Sequence, residues 1–216
     1  MLRQAPVQTE DMRLALGEAL RRRRKELALN MQTVADRSGL SVGFISQVER
    51  GLTSPSLGSL ASISAALGLD LTKLLDLPPA SDQTRRDVRQ PYQVPGADMT
   101  YERISTVFEG SQLHSVIVHE PPGHRVEPIS HPGEEMFYIL SGAITVELEG
   151  KVDILRTGDS IHFDSSRVHS TWNHTTDWAA MLWCGTMDVF GTAPPPIHKP
   201  DEGRTAPETK TGEEQE

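Results

Sequence analysis

Residues 30–51 read NMQTVADRSGLSVGFISQVERG, two short helical patterns that meet at one glycine. Asn30 is suited to cap the first, because its side-chain oxygen can accept an amide that no helical carbonyl reaches. Met31, Val34 and Ala35 recur at helical spacing and form one apolar stripe. Gly39 stands where the chain must leave this helix, a position that favours a residue tolerant of positive φ. Leu40 plugs the corner and Ser41 caps a second helix, in which Ile45 and Val48 face inward and Gly51 ends the run. Val42, Gly43, Ser46 and Gln47 are left facing out. A small, hydrogen-bonding outward face suits a helix that enters a major groove.

With its Ala35–Gly39 spacing, the FISQVERG segment at 44–51 and Pro55-Ser56-Leu57 opening the next helix, the stretch resembles the helix-turn-helix of the phage-repressor-like (Xre) family. The resemblance runs from about Leu16 to Leu77. It implies a compact five-helix, lambda-repressor-like domain whose third helix reads double-stranded operator DNA. By position, Ser41, Val42, Gly43, Ser46 and Gln47 form the reading face. Gln47 can pair with adenine and Val42 can touch a thymine methyl. Gln32, Arg50 and Thr53 lie at helix ends, where phosphate contacts usually arise. Gln47 and Arg50 could instead join Glu49 in a local helix-end network. No Arg or Asn tips the reading helix, so specificity should lean on DNA shape and on two half-sites bound together.

Before this stretch, Thr9 can cap a helix over about 10–27 that carries Leu14, Leu20 and Leu27. Its run Arg21-Arg22-Arg23-Arg24-Lys25 fans around the helix by about 100° per residue, so it cannot all face one duplex. Glu18–Arg22 and Arg22–Glu26 are ordinary pairings of a solvated face, leaving one or two arginines for phosphate. After it, residues 56–67 form a helix stopped by Gly68, and 71–77 form a last helix ended by Pro78-Pro79. The helical domain thus spans 10–77. Residues 78–92, PPASDQTRRDVRQPY, are polar and bounded by prolines, an interdomain linker whose reach would leave the heads mobile.

From 93 to 192 the pattern changes to short alternating strands: 101–107, 113–119, 136–140, 143–148, 152–155, 160–163, 168–173 and 179–187. Many short strands at near-even spacing indicate a barrel or sandwich. The chain is therefore expected to be a two-domain α + β protein, all-α then all-β. Residues 131–142, HPGEEMFYILSG, followed by Gly158-Asp159, Phe163, His169 and Asn173, resemble the two motifs of the cupins, small jelly-roll barrels. That family holds a metal with two histidines and a glutamate from the first motif and a histidine from the second. Here His131, Glu135 and His169 match, while Ile129 stands where the first histidine is expected. Residues i and i+2 of a strand share a face, so Ile129 puts a methyl group where a ligand should be. The remaining three can hold Zn²⁺, Fe²⁺, Mn²⁺ or Ni²⁺ with open positions, or form a polar floor that hydrogen-bonds a small ligand. His114, His119, His124, His162 and His174 belong to no motif and read as surface or turn residues.

The net charge of −9 divides unevenly: residues 1–90 hold 13 Lys and Arg against 10 Asp and Glu, and the remainder 8 against 20. DNA should therefore approach the amino-terminal half alone. Residues 193–216 form a proline-containing acidic tail too poor in apolar side chains to order itself. The single cysteine, Cys184, the absence of a secretory signal and of any membrane-length apolar run point to the cytoplasm. The reading is a non-enzymatic, operator-binding transcriptional regulator whose barrel dimerises and senses a small molecule. No catalytic residues and no certain cofactor are expected. A metal-dependent cupin enzyme with an appended DNA-binding domain, or an antitoxin-like interaction protein, are the alternatives.

Overall fold

The computed structural model describes residues 7–75, 77 and 81–190. Its first part holds four α-helices: α1 Val7–Glu26, α2 Met31–Ser38, α3 Val42–Glu49 and α4 Leu57–Ala66. Where a fifth helix was expected there is only a 3-10 turn, Leu71–Lys73. Asp70 caps it by accepting from the Thr72 amide, and Lys73 and Leu74 bond three residues back. Helix α1 begins before Thr9 rather than at it.

The caps are local chemistry and fall where the sequence places them. Asn30 Oδ1 accepts from the Thr33 amide at 2.8 Å, and Ser41 Oγ from the Phe44 amide at 3.1 Å. Gly39 has φ +67°, and a Cβ there would also collide with the carbonyl oxygen of Ser130. Only glycine meets both demands. Leu20, Val34, Ile45, Val48, Leu60, Ile63 and Leu67 close the core of this head, whereas Leu14 lies at its rim. Arg24, expected on the surface, is buried: its guanidinium forks onto Glu49.

The second part is a two-sheet barrel of β1 Thr100–Arg103, β2 His114–Glu120, β3 Glu134–Ser141, β4 Ala143–Leu148, β5 Lys151–Arg156, β6 Ser160–Asp164, β7 His169–Trp172 and β8 Ala179–Gly185. One sheet has the order β1-β2-β8-β3-β6 and the other β5-β4-β7, and every pairing is antiparallel. The first strand ends at Arg103, short of the expected 107: the Ile104 amide still bonds the Ser115 carbonyl, but the Ser115 amide donates to Ser105 Oγ at 2.8 Å instead of returning a backbone bond, and the ladder stops. Along β3 exposed and buried residues alternate, so Glu135, Phe137 and Ile139 face inward. No helix among the described residues is long and apolar enough to cross a membrane. The expected acidic tail lies outside the described residues.

The head does not hang free. The Leu57 amide donates to Tyr101 Oη at 3.0 Å, Ser54 Oγ donates to the Gly96 carbonyl at 2.6 Å, and Ser130 N–H points at the Gly39 carbonyl at 3.4 Å. The approach to the barrel is tied down as well. Arg89 pairs with Glu102 at 2.8 Å, and Tyr92 exchanges both backbone hydrogen bonds with Tyr101. Mobile heads were expected from the polarity of the linker, which says nothing about tertiary contacts on either side of it.

Candidate functional site

On the head, the outward face of α3 is laid out as its period requires. Ser41, Gly43, Gln47 and Arg50 are exposed, Val42 and Ser46 are half-buried, and Phe44, Ile45 and Val48 point into the core. A Cβ on Gly43 would meet only Ser41 Oγ, at 3.9 Å, so the front of the helix is open. Ser41 Oγ accepts as the cap, which leaves its hydrogen to donate outward. Exposed Gln32 Nε2 donates to Asp36 Oδ1 at 2.8 Å, Arg50 Nε reaches back to the Ser46 carbonyl at 3.4 Å, and Thr53 is half-buried. The helix-end network considered for Gln47 and Arg50 does not include Glu49, whose carboxylate turns inward to Arg24.

In the barrel, a cavity of about 80 Å³ is walled by Val116, Val118, Ile129, Phe137, Met181 and Trp183, with His131, Glu135, His169, Ser170 and Thr171 as polar groups. Ile129 and His131 both line it, as their spacing requires, and the isoleucine does occupy one wall. His131 Nε2 lies 2.9 Å from Glu135 Oε1 and His169 Nε2 lies 3.5 Å from Glu135 Oε2. One donor atom from each residue falls within 4.8 Å of the others. Glu134, at the start of β3, faces out to His162 instead.

The outer ring nitrogens decide what these imidazoles offer. His131 Nδ1 faces the Pro132 carbonyl at 3.2 Å and His169 Nδ1 faces the Arg167 carbonyl at 2.8 Å. A carbonyl can only accept, so both Nδ1 atoms carry hydrogen and both Nε2 lone pairs turn toward a carboxylate. Three acceptors so close together call for a cation between them, either a proton or a metal ion. Burial holds the His169 pKa below the usual imidazole range against the pull of Glu135, which favours the neutral, metal-binding form. Hydrogen-bonded Nδ1 atoms behind two Nε2 donors, with a carboxylate, make a donor set that suits Zn²⁺, Fe²⁺, Mn²⁺ or Ni²⁺.

Sequence reading missed several of these positions. His114 is buried against Phe190, not on the surface. Ser170 is buried with no hydrogen-bond partner for its hydroxyl among the described residues. Tyr101 and the Ser56–Ser59 start of α4 also line the cavity. For Tyr101 the signal was present, since it pairs with Val118 across the sheet, but only once the register is known.

A helix-turn-helix head with an open outer face, seated on a barrel with a polar-floored cavity, is the architecture of a DNA-binding regulator with a second, barrel domain. The helix-turn-helix family profile matches residues 20–74 and the cupin domain profile residues 116–185. The HTH-type transcriptional regulator PuuR of Escherichia coli is 26% identical over 186 residues, covering 83% of this chain and 99% of that protein. A second regulator, the uncharacterized y4dJ of Sinorhizobium fredii, is 35% identical over 65 residues, 30% of this chain and 84% of its own length. The solved HTH_3 family transcriptional regulator from Vibrio cholerae superposes with a TM-score of 0.51 over 82% of this chain and 98% of that one, at 19% identity. The chain belongs to the helix-turn-helix transcriptional regulators, and its residues 116–185 match the cupin domain.

Proposed function

We propose that this regulator reads its operator with Ser41, Val42, Gly43, Ser46 and Gln47 and takes phosphates with Gln32, Arg50 and Thr53. The observation that carries the assignment is the exposure of Ser41, Gly43, Gln47 and Arg50 on one edge, with Val42 and Ser46 half-buried beside them, while Phe44, Ile45 and Val48 are core. It acts in the cytoplasm as a homodimer, which supplies two reading helices for two half-sites. The outer face of the five-stranded sheet suits the dimer contact. Exposed Met136, Tyr138 and Leu140 lie on β3, beside half-buried Leu182 and Cys184 on β8 and Ile117 on β2. A patch of that kind on a sheet face marks an interaction surface.

The test uses a duplex selected by the wild-type protein from a random pool. Gln47→Ala should weaken binding about tenfold, the loss of one bidentate base contact. Gly43→Glu should weaken it about a hundredfold, by placing a carboxylate against the duplex. In the same samples light scattering should give a dimer, and Tyr138→Arg should reduce both its mass and its operator affinity. Unchanged affinity and sequence preference in both α3 variants would sink the assignment.

The barrel senses a small effector, and His131, Glu135 and His169 hold one divalent metal ion that would offer open positions to the effector's polar end. The acceptor-rich face of the three residues supports this. Effector binding shifts operator affinity by its differential affinity for two arrangements of the heads. In this reading the chain is a regulator rather than an enzyme, in keeping with relatives that are named transcriptional regulators. Protein purified without chelators should carry about one equivalent of transition metal by elemental analysis, and His169→Ala should lower that affinity about 10–100-fold or more. Equal metal content in both proteins would remove the metal from this reading.

A further inference from the structure

The DNA-binding head itself forms one side of the cavity in the barrel. Ser56, Leu57, Gly58 and Ser59, the first turn of α4, form part of its wall. Seated this way, the cavity measures about 80 Å³. That is room for roughly two or three water molecules, whereas metabolite sites run to about 300–1,000 Å³. The wall contributed by the barrel is a set of hydrogen-bonded antiparallel strands, whereas the start of α4 is tied to it, among the described residues, by the bond from the Leu57 amide to Tyr101, with Ser54 just before the helix bonded to the Gly96 carbonyl.

We propose that α4 is the stopper of the barrel, so that a metabolite entering the cavity and the DNA-binding head compete for the same mouth. The inference rests on the reading of the barrel as the effector site and supplies its mechanism. With α4 seated, the reading face of α3 is held in one fixed direction relative to the barrel, because the corner at Gly39 rests on Ser130 and Tyr101 holds the Leu57 amide. A metabolite too large for the space beneath α4 lifts the helix, breaks those contacts together and returns the head to its linker. The two heads of a dimer then lose their fixed spacing, and operator affinity falls. The effector is a molecule with a mostly apolar body and one polar end for the His131–Glu135–His169 floor.

The Leu57 amide reports the seating directly. As the first residue of α4 it has no carbonyl within the helix to bond, so protection of its N–H from solvent exchange comes from Tyr101 alone. In the full-length protein this amide should exchange about a hundredfold slower than a free amide. Tyr101→Phe removes the acceptor and Gly58→Trp wedges the helix off the barrel from the head side, where a Cβ would face Met187 Sδ at 3.8 Å. Both should bring Leu57 to within about tenfold of the free rate. The Leu60 amide, bonded inside α4 to Ser56, and the β2 amides should be unchanged and confirm that both domains are folded.

The dye 1-anilinonaphthalene-8-sulfonate, apolar with one anionic end, then probes the mouth. Gly58→Trp should raise its affinity at least tenfold, and adding Val118→Trp, which fills the cavity, should remove the gain. A wild-type Leu57 amide that exchanges freely would overturn the proposal, as would a Gly58→Trp protein that frees Leu57 without admitting more dye. Neither readout involves DNA or the natural effector, so failure here leaves operator recognition through α3 standing, and failure of the Gly43 and Gln47 variants leaves the seating of α4 measurable.

Discussion

Arg24→Ala should lower the stability of the helical head by about 3–5 kcal/mol, the cost of stranding a buried charge. Arg24 Nε and its second terminal nitrogen meet the two oxygens of Glu49 at 2.6 and 2.7 Å, and the remaining nitrogen donates to the Leu29 carbonyl at 3.1 Å. The two side chains are only 10% and 4% exposed, so solvent screens the pair little. Removing the guanidinium leaves the Glu49 carboxylate in a dry site with no counter-charge. Arg24→Lys should recover only part of the loss, because an ammonium cannot make the fork. Replacing both residues by apolar ones, Arg24→Met with Glu49→Leu, should be far milder than either single truncation. Urea unfolding followed by helical circular dichroism measures all of these. A loss under about 1 kcal/mol for Arg24→Ala would mean that the pair behaves like a surface ion pair. Glu49 is the last residue of α3, so the fork also fixes the reading helix against α1, and Arg24→Ala should lose operator binding along with stability.

The second large effect is opposite in sign. Glu120→Gln should stabilise the barrel at neutral and alkaline pH and give no advantage in acid. Glu120 is fully buried at the end of β2, and neither carboxylate oxygen has a hydrogen-bond partner among the described residues. Burial pushes its pKa up to about 8 from the ordinary 4.5. A raised carboxyl pKa means that the folded state holds a proton the unfolded chain has already released. Wild-type stability therefore falls as pH rises from the unfolded value toward 8, by about 1.4 kcal/mol per pH unit. At pH 7 the penalty is about 3 kcal/mol, and glutamine, neutral at every pH, avoids it. For a domain of this size that is roughly 10 °C or more in melting midpoint. Thermal melts between pH 4 and pH 9 should show the two proteins converging below about pH 4.5 and separating above it. Parallel curves across that range would show that Glu120 is solvated after all.

How much of this could be read from the chain follows from the range of each interaction. Asn30, Gly39 and Ser41 were legible because a cap acts on backbone groups within about one turn of itself. Seven of the eight strands lie within two residues of where alternation and turn residues put them, because a half-buried sheet prints its period on the sequence. The meeting of His131, Glu135 and His169 was legible through the spacing of His131 and Glu135 and through family resemblance. Arg24 was hidden by its neighbours: inside RRRRK it looks like surface, although Leu16, Leu20 and Arg24 stand four residues apart on the inward face. The burial of Glu120 was open to the same reasoning, since Val116 and Val118 precede it at strand spacing. The seating of α4 was not legible. Leu57 and Tyr101 are 44 residues apart, and nothing local announces that they meet.

The place of β8 in its sheet carries a consequence for how the chain is made. This last strand lies between β2 and β3 and pairs with both, so the large sheet stays split in two until residue 185 has left the ribosome. The buried apolar residues of the helical head run from Leu16 to Leu75, so all of them are made before the first strand of the barrel. During translation, a folded head therefore precedes the barrel that seats it, and the long-range closure around β8 is the slow event of biogenesis.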